Sequence, residues 1–418
     1  MRTLTVFCVA VSMLLIVSAM SPANAAGDNG LVAFRVGKVI TFDSDDRVIN
    51  NAVVLVRDGR IEAIERARDF DIPDEAKVVE KPQAWLTPGL VELHNHTAGS
   101  LGDLNDLVYL TNPGLRTLET VVPETENVKR ARAGGVTTAL LIPGSGTNLT
   151  GFGTIVKFDG PGVDDMVVRS PGSLKIAQAG NPERYWYGVG RTMMNYNTRR
   201  TMEQALEYHQ RWQAWEDGEL DERPLFDPIY DDFRGLYERE YIASVHTQMY
   251  QVVMTTIDML AEHLDVHTVI AHGTFDAWKV APLVLEAGMD QVQAVVGPRQ
   301  FHLDNTQRKI HGVAARWWQG GVTELGINTD APVVPQEELT YQAAMACWYG
   351  WTPYEALRGI TKVPAEAMLM GNQIGTIEVG KDADFSIWTG DPIDPRSANL
   401  MTVINGRIVY DADDERLF

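Results

Sequence analysis

The sequence predicts an α/β protein: a (β/α)8 TIM barrel with a small β-sandwich domain formed by both ends of the chain. Three observations support this prediction. The middle of the chain alternates short apolar β runs with helical patterns, which favours a parallel sheet. These runs number eight, as a (β/α)8 barrel requires. Both ends of the chain are instead rich in short strands and turns.

The first 25 residues have the pattern of a secretory signal peptide. Arg2 supplies a positive start, residues 6–20 are apolar apart from two serines, and Ala23-Asn24-Ala25 is typical of a cleavage site. The apolar run is too short for a stable transmembrane helix. We therefore expect an exported protein, periplasmic or extracellular, with no stable membrane insertion after the signal is removed. An uncleaved membrane anchor is the alternative.

The composition is that of a soluble globular protein, with 418 residues of which 45% are hydrophobic and 22% charged. The net charge is −20, and it becomes −21 once Arg2 leaves with the signal peptide. Such a surface repels phosphate backbones, so we expect no nucleic-acid partner. Cys8 also leaves, and Cys347 then stands alone. This excludes disulfides, a cysteine nucleophile and a cysteine-type zinc site.

The β-rich ends contain two hairpin signals. Asp58-Gly59 separates two apolar runs near the N-terminus, and Asn405-Gly406 does the same near the C-terminus. Both dipeptides suit two-residue turns that need positive φ. One domain built from both ends is expected, and a barrel with two unrelated β caps is the alternative. The predicted divisions are a signal peptide over 1–25, β-domain segments over 26–86 and 375–418, and the barrel over 87–374.

The barrel prediction depends on short apolar runs bounded by turns or helical patterns. The runs lie at residues 90–94, 136–142, 154–158, 174–177, 241–246, 268–272, 293–296 and 324–328. Helices are expected at 252–264, 278–287 and 306–320. A long excursion over 180–240, with a helix at 201–215, could either cover the active site or pack as a surface subdomain.

Polar side chains that can bind metals stand at the ends of these runs. His94 and His96 are two residues apart on the first strand, so their side chains point to the same side. His246 and His272 end the fifth and sixth runs, and Asp330 follows the eighth. Barrel enzymes assemble their sites at this end of the strands. Imidazole and carboxylate donors without a thiolate suit zinc, with manganese, iron or nickel as alternatives.

Lys175 lies on the fourth run between apolar residues. A buried lysine costs several kcal/mol unless it is neutralised, paired or chemically modified. Lys157, on the third run, is a rival for this role only if that strand is central. The sequence therefore favours Lys175 as the lysine of the site.

With these residues, the sequence resembles the amidohydrolase superfamily, and its imidazolonepropionase-like branch in particular. The resemblance covers nearly all of the chain after the signal peptide. It rests on Pro88-Gly89 with His94 and His96, on Ala133-Gly134-Gly135-Val136-Thr137-Thr138, on Lys175, His246, His272 and Asp330, and on the segment from Gly375 to Asp384.

The resemblance implies a role for each of these residues. His94, His96 and Asp330 would hold one divalent metal, and His246 and His272 a second. Lys175 matches the position at which binuclear members carry a carboxylated lysine that bridges the metals. With an unmodified Lys175 the site would be mononuclear. Asp330 would also take the proton of the attacking water and pass it to the leaving amine.

Contacts to the substrate are expected from loops. Asn181, Arg184 and Arg191 follow the fourth strand and are candidates for substrate binding, with ordinary salt bridging as the alternative. Gly144-Ser145-Gly146 fits neither a phosphate loop nor a serine nucleophile elbow. It is expected to shape the loop after the second strand, where it could contact the substrate.

The sequence therefore predicts an exported, metal-dependent hydrolase that cleaves a C–N bond in a cyclic or linear amide or a peptide-like substrate. The cofactor is one or two divalent ions, preferably Zn²⁺, and the partner is a small-molecule or peptide-like substrate. A homo-oligomer is possible. An ester or phosphoester hydrolase on the same site is the first alternative. A non-catalytic metal-binding barrel that acts as a binding protein is the second.

Overall fold

The computed structural model describes residues 30–178, 180, 182–183 and 189–418. The predicted signal peptide, Asn181 and Arg184 lie outside the described residues. The strands are β1 Leu31–Ile40, β2 Val48–Arg57, β3 Arg60–Arg66, β4 Lys77–Pro88, β5 Leu90–Asn95, β6 Val136–Leu141, β7 Leu149–Lys157, β8 Val167–Ala177, β9 Ile242–Thr247, β10 Thr268–His272, β11 Val292–Val296, β12 Phe301–Asp304, β13 Lys309–Gly312, β14 Leu325–Ile327, β15 Phe385–Trp388, β16 Asn399–Ile404 and β17 Arg407–Asp411.

The helices in the described residues lie mainly between the barrel strands. They are α1 Glu126–Ala133, α2 Val163–Met166, α3 Arg191–Glu216, α4 Arg234–Tyr237, α5 Tyr250–Thr256, α6 Ala281–Ala287, α7 Val313–Gln319, α8 Leu339–Trp348, α9 Pro353–Arg358 and α10 Lys362–Ala367. A π-helical segment, Ile257–His263, continues α5. None of the helices in the described ranges is both long and apolar enough to cross a membrane.

Both ends of the chain meet in one seven-stranded sheet, in the order β17-β16-β15-β4-β1-β2-β3. Side chains on alternate positions of β1 enter different apolar clusters, with Phe34 and Val36 in one and Leu31 and Ala33 in the other. The sheet is therefore buried on both faces. The single domain expected from the two ends is present, and the alternative of two unrelated caps is wrong.

The two predicted hairpin turns contact each other. Asp58 and Gly59 have φ of 48° and 82°, and Asn405 and Gly406 have φ of 50° and 74°. A Cβ on Gly59 would lie 2.9 Å from the carbonyl oxygen of Asn405. Glycine is therefore required at position 59 both by the turn and by the approach of the second hairpin.

The eight predicted runs form one eight-stranded sheet in which the strands follow sequence order, β5-β6-β7-β8-β9-β10-β11-β14. The two end strands meet where Asn95 bridges to Ala331 and the His96 N–H donates to the Ala331 carbonyl at 2.9 Å. This contact closes the barrel. The predicted fold class is confirmed.

One strand of the barrel runs the opposite way from the expected direction. β7 pairs antiparallel with both β6 and β8, whereas the other neighbouring pairs of the sheet are parallel. The physical reason is the short connection over residues 142–148, because a parallel crossover needs about a dozen residues or more. The expectation of an all-parallel sheet is therefore wrong at the third strand.

Apolar faces of the helices pack against the outside of the barrel. The largest apolar cluster joins Val128 of α1, Val284 of α6 and Trp317 of α7 to strand residues such as Ile270 and Val296. The helices expected at 252–264 and 278–287 are present. The helix expected at 306–320 is wrong in its first half, where β12 and β13 form a hairpin. Pairing of β12 with β13 uses the backbone groups that a helix would need, and N–H groups of the turn between them donate to the Asp304 carboxylate.

The described part of the long excursion packs against the barrel wall. Met202 and Ala205 of α3 share an apolar cluster with Leu174, Ile176 and Val245 of β8 and β9. The described residues of the excursion thus behave as a packed surface subdomain. The helix expected at 201–215 is present and extends further toward the N-terminus.

Candidate active site

The six residues predicted to form the metal site lie together at the carboxyl ends of barrel strands. Among the described residues, two groups could each hold a metal ion, and within each group the ligand atoms lie within 4.8 Å of one another. One group is His94, His246 and His272, and the other is His94, His96 and Asp330. The Nζ of Lys175 lies 2.9 Å from His94 Nε2. The barrel thus brings donors from its first, fourth, fifth, sixth and eighth strands to one place.

Backbone carbonyls set the tautomers of two histidines. His96 Nδ1 lies 2.8 Å from the carbonyl oxygen of Ile142, and His272 Nδ1 lies 2.9 Å from that of Gly297. A carbonyl only accepts hydrogen bonds, so each neutral ring carries its proton on Nδ1 and directs a lone pair from Nε2 into the site. Carbonyl partners of this kind orient metal-binding histidines and hold their tautomer.

The donor atoms face one another in a way that fits a cation. His96 Nε2 and Asp330 Oδ1 are 3.3 Å apart, and His94 Nε2 lies at the same distance from that oxygen. When Nε2 of His96 carries no proton, it presents a lone pair to a carboxylate oxygen, and a cation between the two atoms would stabilise that arrangement. A second close pair joins His272 Nε2 and His246 Nδ1 at 2.9 Å. The donor set, imidazole nitrogens with one carboxylate, therefore fits a divalent metal.

Burial controls the charges of these groups. It lowers the pKa of His94, His246 and His272, so that they are neutral imidazoles, the form that binds metals. It also lowers the pKa of Lys175 to about 7. Burial acts to raise the pKa of Asp330, but His272, His96 and Lys175 outweigh it and the pKa is lowered. The site thus combines neutral nitrogen donors with an ionised carboxylate.

Two of the site residues have backbone angles in the left-handed region. φ is 78° at His272 and 53° at Asp330. Such conformations cost about 1–3 kcal/mol in residues other than glycine, and they persist only where the surroundings hold them. The His272 ring is held by Gly297, and the backbone after Asp330 is held by the hydrogen bond from His96 to Ala331. This strain is consistent with a functional arrangement of the two side chains.

Glu92 is a site residue that the sequence analysis missed. It is fully buried, and its Oε1 accepts the N–H of His94 at 3.0 Å. Its Oε2 accepts the N–H of Thr329 at 2.9 Å and the Thr329 hydroxyl at 2.6 Å. Burial raises the pKa of Glu92 to about 7. Because His94 lies on β5 and Thr329 precedes Asp330, the carboxylate ties the first strand to the eighth. Its position two residues before His94, on the same side of the strand, was the available signal.

Replacing Glu92 by glutamine is expected to weaken metal binding on the order of tenfold. The amide NH2 cannot accept, so either the His94 N–H or the Thr329 groups lose an acceptor. The buried unpaired donor also lowers the free energy of unfolding by about 1–3 kcal/mol. Competition with a chelator measures the affinity, and E286Q on the exposed face of α6 is the control. Equal affinities in E92Q, E286Q and the unmodified protein would show that Glu92 does not position the ligands.

Lys157, the rival lysine, lies at the other end of the barrel. Because β7 is antiparallel, its last residue pairs with Thr138 near the start of β6. The Lys157 Nζ lies 2.7 Å from Asp382 Oδ2 and 2.8 Å from Asp384 Oδ2. Lys157 thus joins the barrel to the terminal β domain, and the ranking of Lys175 above it is consistent with this placement.

The predicted substrate-binding residues are not brought together in the described part of the chain. Arg191 pairs through Nε with Glu183 Oε1 at 3.1 Å and does not line the cavity described next. Asn181 and Arg184 lie outside the described residues. The loop that contains Ser145 does reach the site, since Ser145 Oγ lies 2.9 Å from His246 Nδ1.

A cavity of about 450 Å³ opens over the metal-site residues. Its floor includes His96, His246 and Asp330. The remaining wall comes from the loops after β5 and β6 and from the residues after Asp330. The lining residues beyond the floor are Leu101, Leu104, Asn105, Leu107, Gly144, Ser145, Gly146, Pro332 and Val333.

A sequence profile of the amidohydrolase family matches residues 240–414, which include His246, His272 and Asp330. An amidohydrolase from Thermotoga maritima has a similar structure, with a TM-score of 0.80 and 27% identity over 91% of this chain and 100% of that one. Together these findings support the amidohydrolase superfamily. They confirm the resemblance and place the chain among hydrolases.

Curated relatives agree with this assignment and indicate the branch. The imidazolonepropionase of Maricaulis maris is 24% identical over 402 residues, covering 86% of this chain and 92% of the relative. The amidohydrolase tasK of Hapsidospora irregularis is 22% identical over 401 residues and also covers 86% of this chain. This chain spans only 40% of the length of the Hapsidospora protein. The similarity is to the imidazolonepropionase-like branch.

Proposed function

We propose that the chain is an exported, metal-dependent amidohydrolase that hydrolyses a C–N bond in a cyclic or linear amide or a peptide-like substrate. The observation that carries the proposal is the pair of potential metal ligands, His96 Nε2 and Asp330 Oδ1, that face each other at 3.3 Å beneath an open cavity. Such a pair can hold a cation between its members. The cavity above it gives a substrate access to that cation.

The residues that would hold the metal are those that the resemblance implies, and the two groups of donor atoms, which share His94, are compatible with it. His94, His96 and Asp330 would bind one divalent ion, and His246 and His272 a second. Lys175 Nζ, 2.9 Å from His94 Nε2, is placed to bridge them if its amine is carboxylated. Nitrogen and carboxylate donors without thiolate favour Zn²⁺. Similarity to the amidohydrolase family supports a divalent metal, and zinc is our proposal.

A bound divalent ion supplies Lewis-acid chemistry, since it polarises a substrate carbonyl and acidifies water. The residues of the chain do the rest. Asp330 accepts the proton of the attacking water at its carboxylate and delivers it to the nitrogen of the leaving amine. Ile142 and Gly297 keep the His96 and His272 rings oriented through their carbonyls. Ser145, beside His246 at the cavity wall, is placed to hydrogen-bond the bound substrate.

Metal analysis of the purified protein tests the proposal directly. We expect about two equivalents of a divalent metal and a loss of metal in both H94A and K175A. H263A is the control, because the His263 side chain is 63% exposed on the helix that continues α5. One equivalent that survives K175A would indicate a mononuclear site. If the protein holds no metal and takes up none on reconstitution, the proposal of a metal-dependent hydrolase is wrong.

Export is proposed from the N-terminal pattern alone. The mass of the protein recovered from its native location is expected to correspond to a chain that begins near residue 26, after Ala23-Asn24-Ala25. An intact N-terminus in protein recovered from the membrane would support the uncleaved anchor instead.

A further inference from the structure

The cavity over the metal-site residues has two unlike parts. Its floor is polar, formed by His96, His246 and Asp330 with Ser145 beside them. Its wall is mostly apolar. The apolar members are Leu101, Leu104, Leu107, Pro332 and Val333.

Three members of this apolar wall are exposed. The exposed fractions are 48% for Leu101, 50% for Leu107 and 66% for Val333, whereas Leu104 beneath them is 1% exposed. Large apolar side chains grouped at the mouth of a polar site are unfavourable in water and mark a surface that binds an apolar ligand. In the lining as the structure describes it, Asp330 is the sole carboxylate, and no lysine or arginine takes part.

The wall is held in place by close packing against the loop after β6. A Cβ on Gly146 would lie 2.6 Å from Leu107 Cδ2, and one on Gly144 would lie 2.5 Å from Asn105 Oδ1. Asn112 Nδ2 donates to the Thr147 hydroxyl at 3.2 Å and joins the same two loops. Because residues 144 and 146 are glycines, the loop after β5 that carries Leu107 can pack directly beside Ser145. The apolar wall therefore lies directly beside the polar floor of the cavity.

We propose that the substrate of this site carries an uncharged aliphatic or aromatic group next to the scissile C–N bond. That group packs against Leu101, Leu107 and Val333 while the amide lies over the metal-site residues. The inference rests on the proposed function and names the substrate class within it. The cavity of about 450 Å³ has room for both the amide and a side group of this kind.

Hydroxamates of increasing chain length test the inference, because the hydroxamate binds the metal and the chain reports on the wall. Dissociation constants for acetohydroxamate, butyrohydroxamate and hexanohydroxamate are measured by calorimetry on the zinc-loaded protein. Affinity is expected to rise about two- to fourfold for each methylene buried. Succinic acid monohydroxamate, which ends in a carboxylate, is expected to bind more weakly than butyrohydroxamate.

Variants of the wall isolate its contribution. In the double variant L107N/V333T the ratio of acetohydroxamate to hexanohydroxamate dissociation constants is expected to fall at least threefold. Both changes keep the side-chain size, and both positions are at least half exposed, so the fold should be retained. L225N is the matched control, since Leu225 is 90% exposed and does not line the cavity. L225N should keep the full ratio.

The possible outcomes separate the two proposals. If acetohydroxamate binds but longer chains add no affinity, or if the succinate derivative binds best, the apolar subsite is wrong and the metal site stands. If the chain-length gain is the same in L107N/V333T as in L225N, the wall we name is not the subsite. If zinc is not taken up, or no hydroxamate binds to zinc-loaded protein, both the proposed function and the inference fail.

Discussion

Replacing Asp330 by asparagine is expected to lower kcat by about 10²- to 10⁴-fold, the usual contribution of a positioned acid–base group. The amide has nearly the same shape but cannot accept the proton of the attacking water. The backbone accommodates the change, because asparagine tolerates the left-handed conformation that position 330 adopts, with φ of 53°. Metal affinity should also fall, since an oxygen 3.3 Å from both His94 Nε2 and His96 Nε2 loses its charge.

The measurement is turnover of the best amide found by screening the unmodified protein, together with metal content. D265N is the matched control. Asp265 also has positive φ, 52°, and its side chain is 79% exposed at the surface, so this variant should keep full turnover. Full activity in metal-loaded D330N would rule out Asp330 as the proton acceptor. Tight ligand binding without turnover in the unmodified protein would instead favour the non-catalytic alternative.

Replacing Lys157 by methionine is expected to reduce the free energy of unfolding by about 3–5 kcal/mol, the usual result of breaking a buried ion pair by removing one partner. The Lys157 ammonium contacts Asp382 and Asp384, and Asn405 Oδ1 lies 2.7 Å from it. Asp382 has a second cation, Arg60, at 3.0 Å. Asp384 is 3% exposed and would become the uncompensated charge. Denaturant unfolding measures the loss.

K81M is the control for this prediction. Lys81 pairs with Asp413 at 2.6 Å, but the Asp413 side chain is 73% exposed, so we expect a loss of less than about 1 kcal/mol. The double variant K157M/D384N should recover part of the stability lost in K157M, because it also removes the unpaired charge. Equal losses in K157M and K81M would show that the buried cluster does not stabilise the contact between barrel and β domain.

The candidate metal site was largely predictable from the sequence because each of its residues belongs to a local pattern. His246 and His272 end apolar runs, and His94 lies two residues from His96. In a barrel the ends of parallel strands meet at one face. The positions of the side chains then follow from the strands, without knowledge of any loop.

Several features depend on contacts that the sequence analysis did not identify. The Glu92 carboxylate accepts a hydrogen bond from the N–H of Thr329, which is 237 positions away in the chain. The exposed leucines of the cavity wall resemble any surface residues until the loop is packed against Gly144 and Gly146. The first half of the helix expected at 306–320 is absent because residues 309–312 pair with residues 301–304 as a hairpin. These outcomes depend on tertiary contacts or on competition between local structures.

By itself, the sequence determined the eight barrel strands and the two glycine hairpins, since these depend on short-range periodicity and turn chemistry. It also predicted six candidate metal-site residues, which the structure brings together. The tertiary structure alone decided the partners of Lys157, at the opposite end of the barrel from Lys175. It also decided the apolar wall above the site. The physical reason is that ion pairs between the barrel and the β domain, like loop packing, depend on contacts between segments far apart in the chain, and no local pattern encodes these contacts.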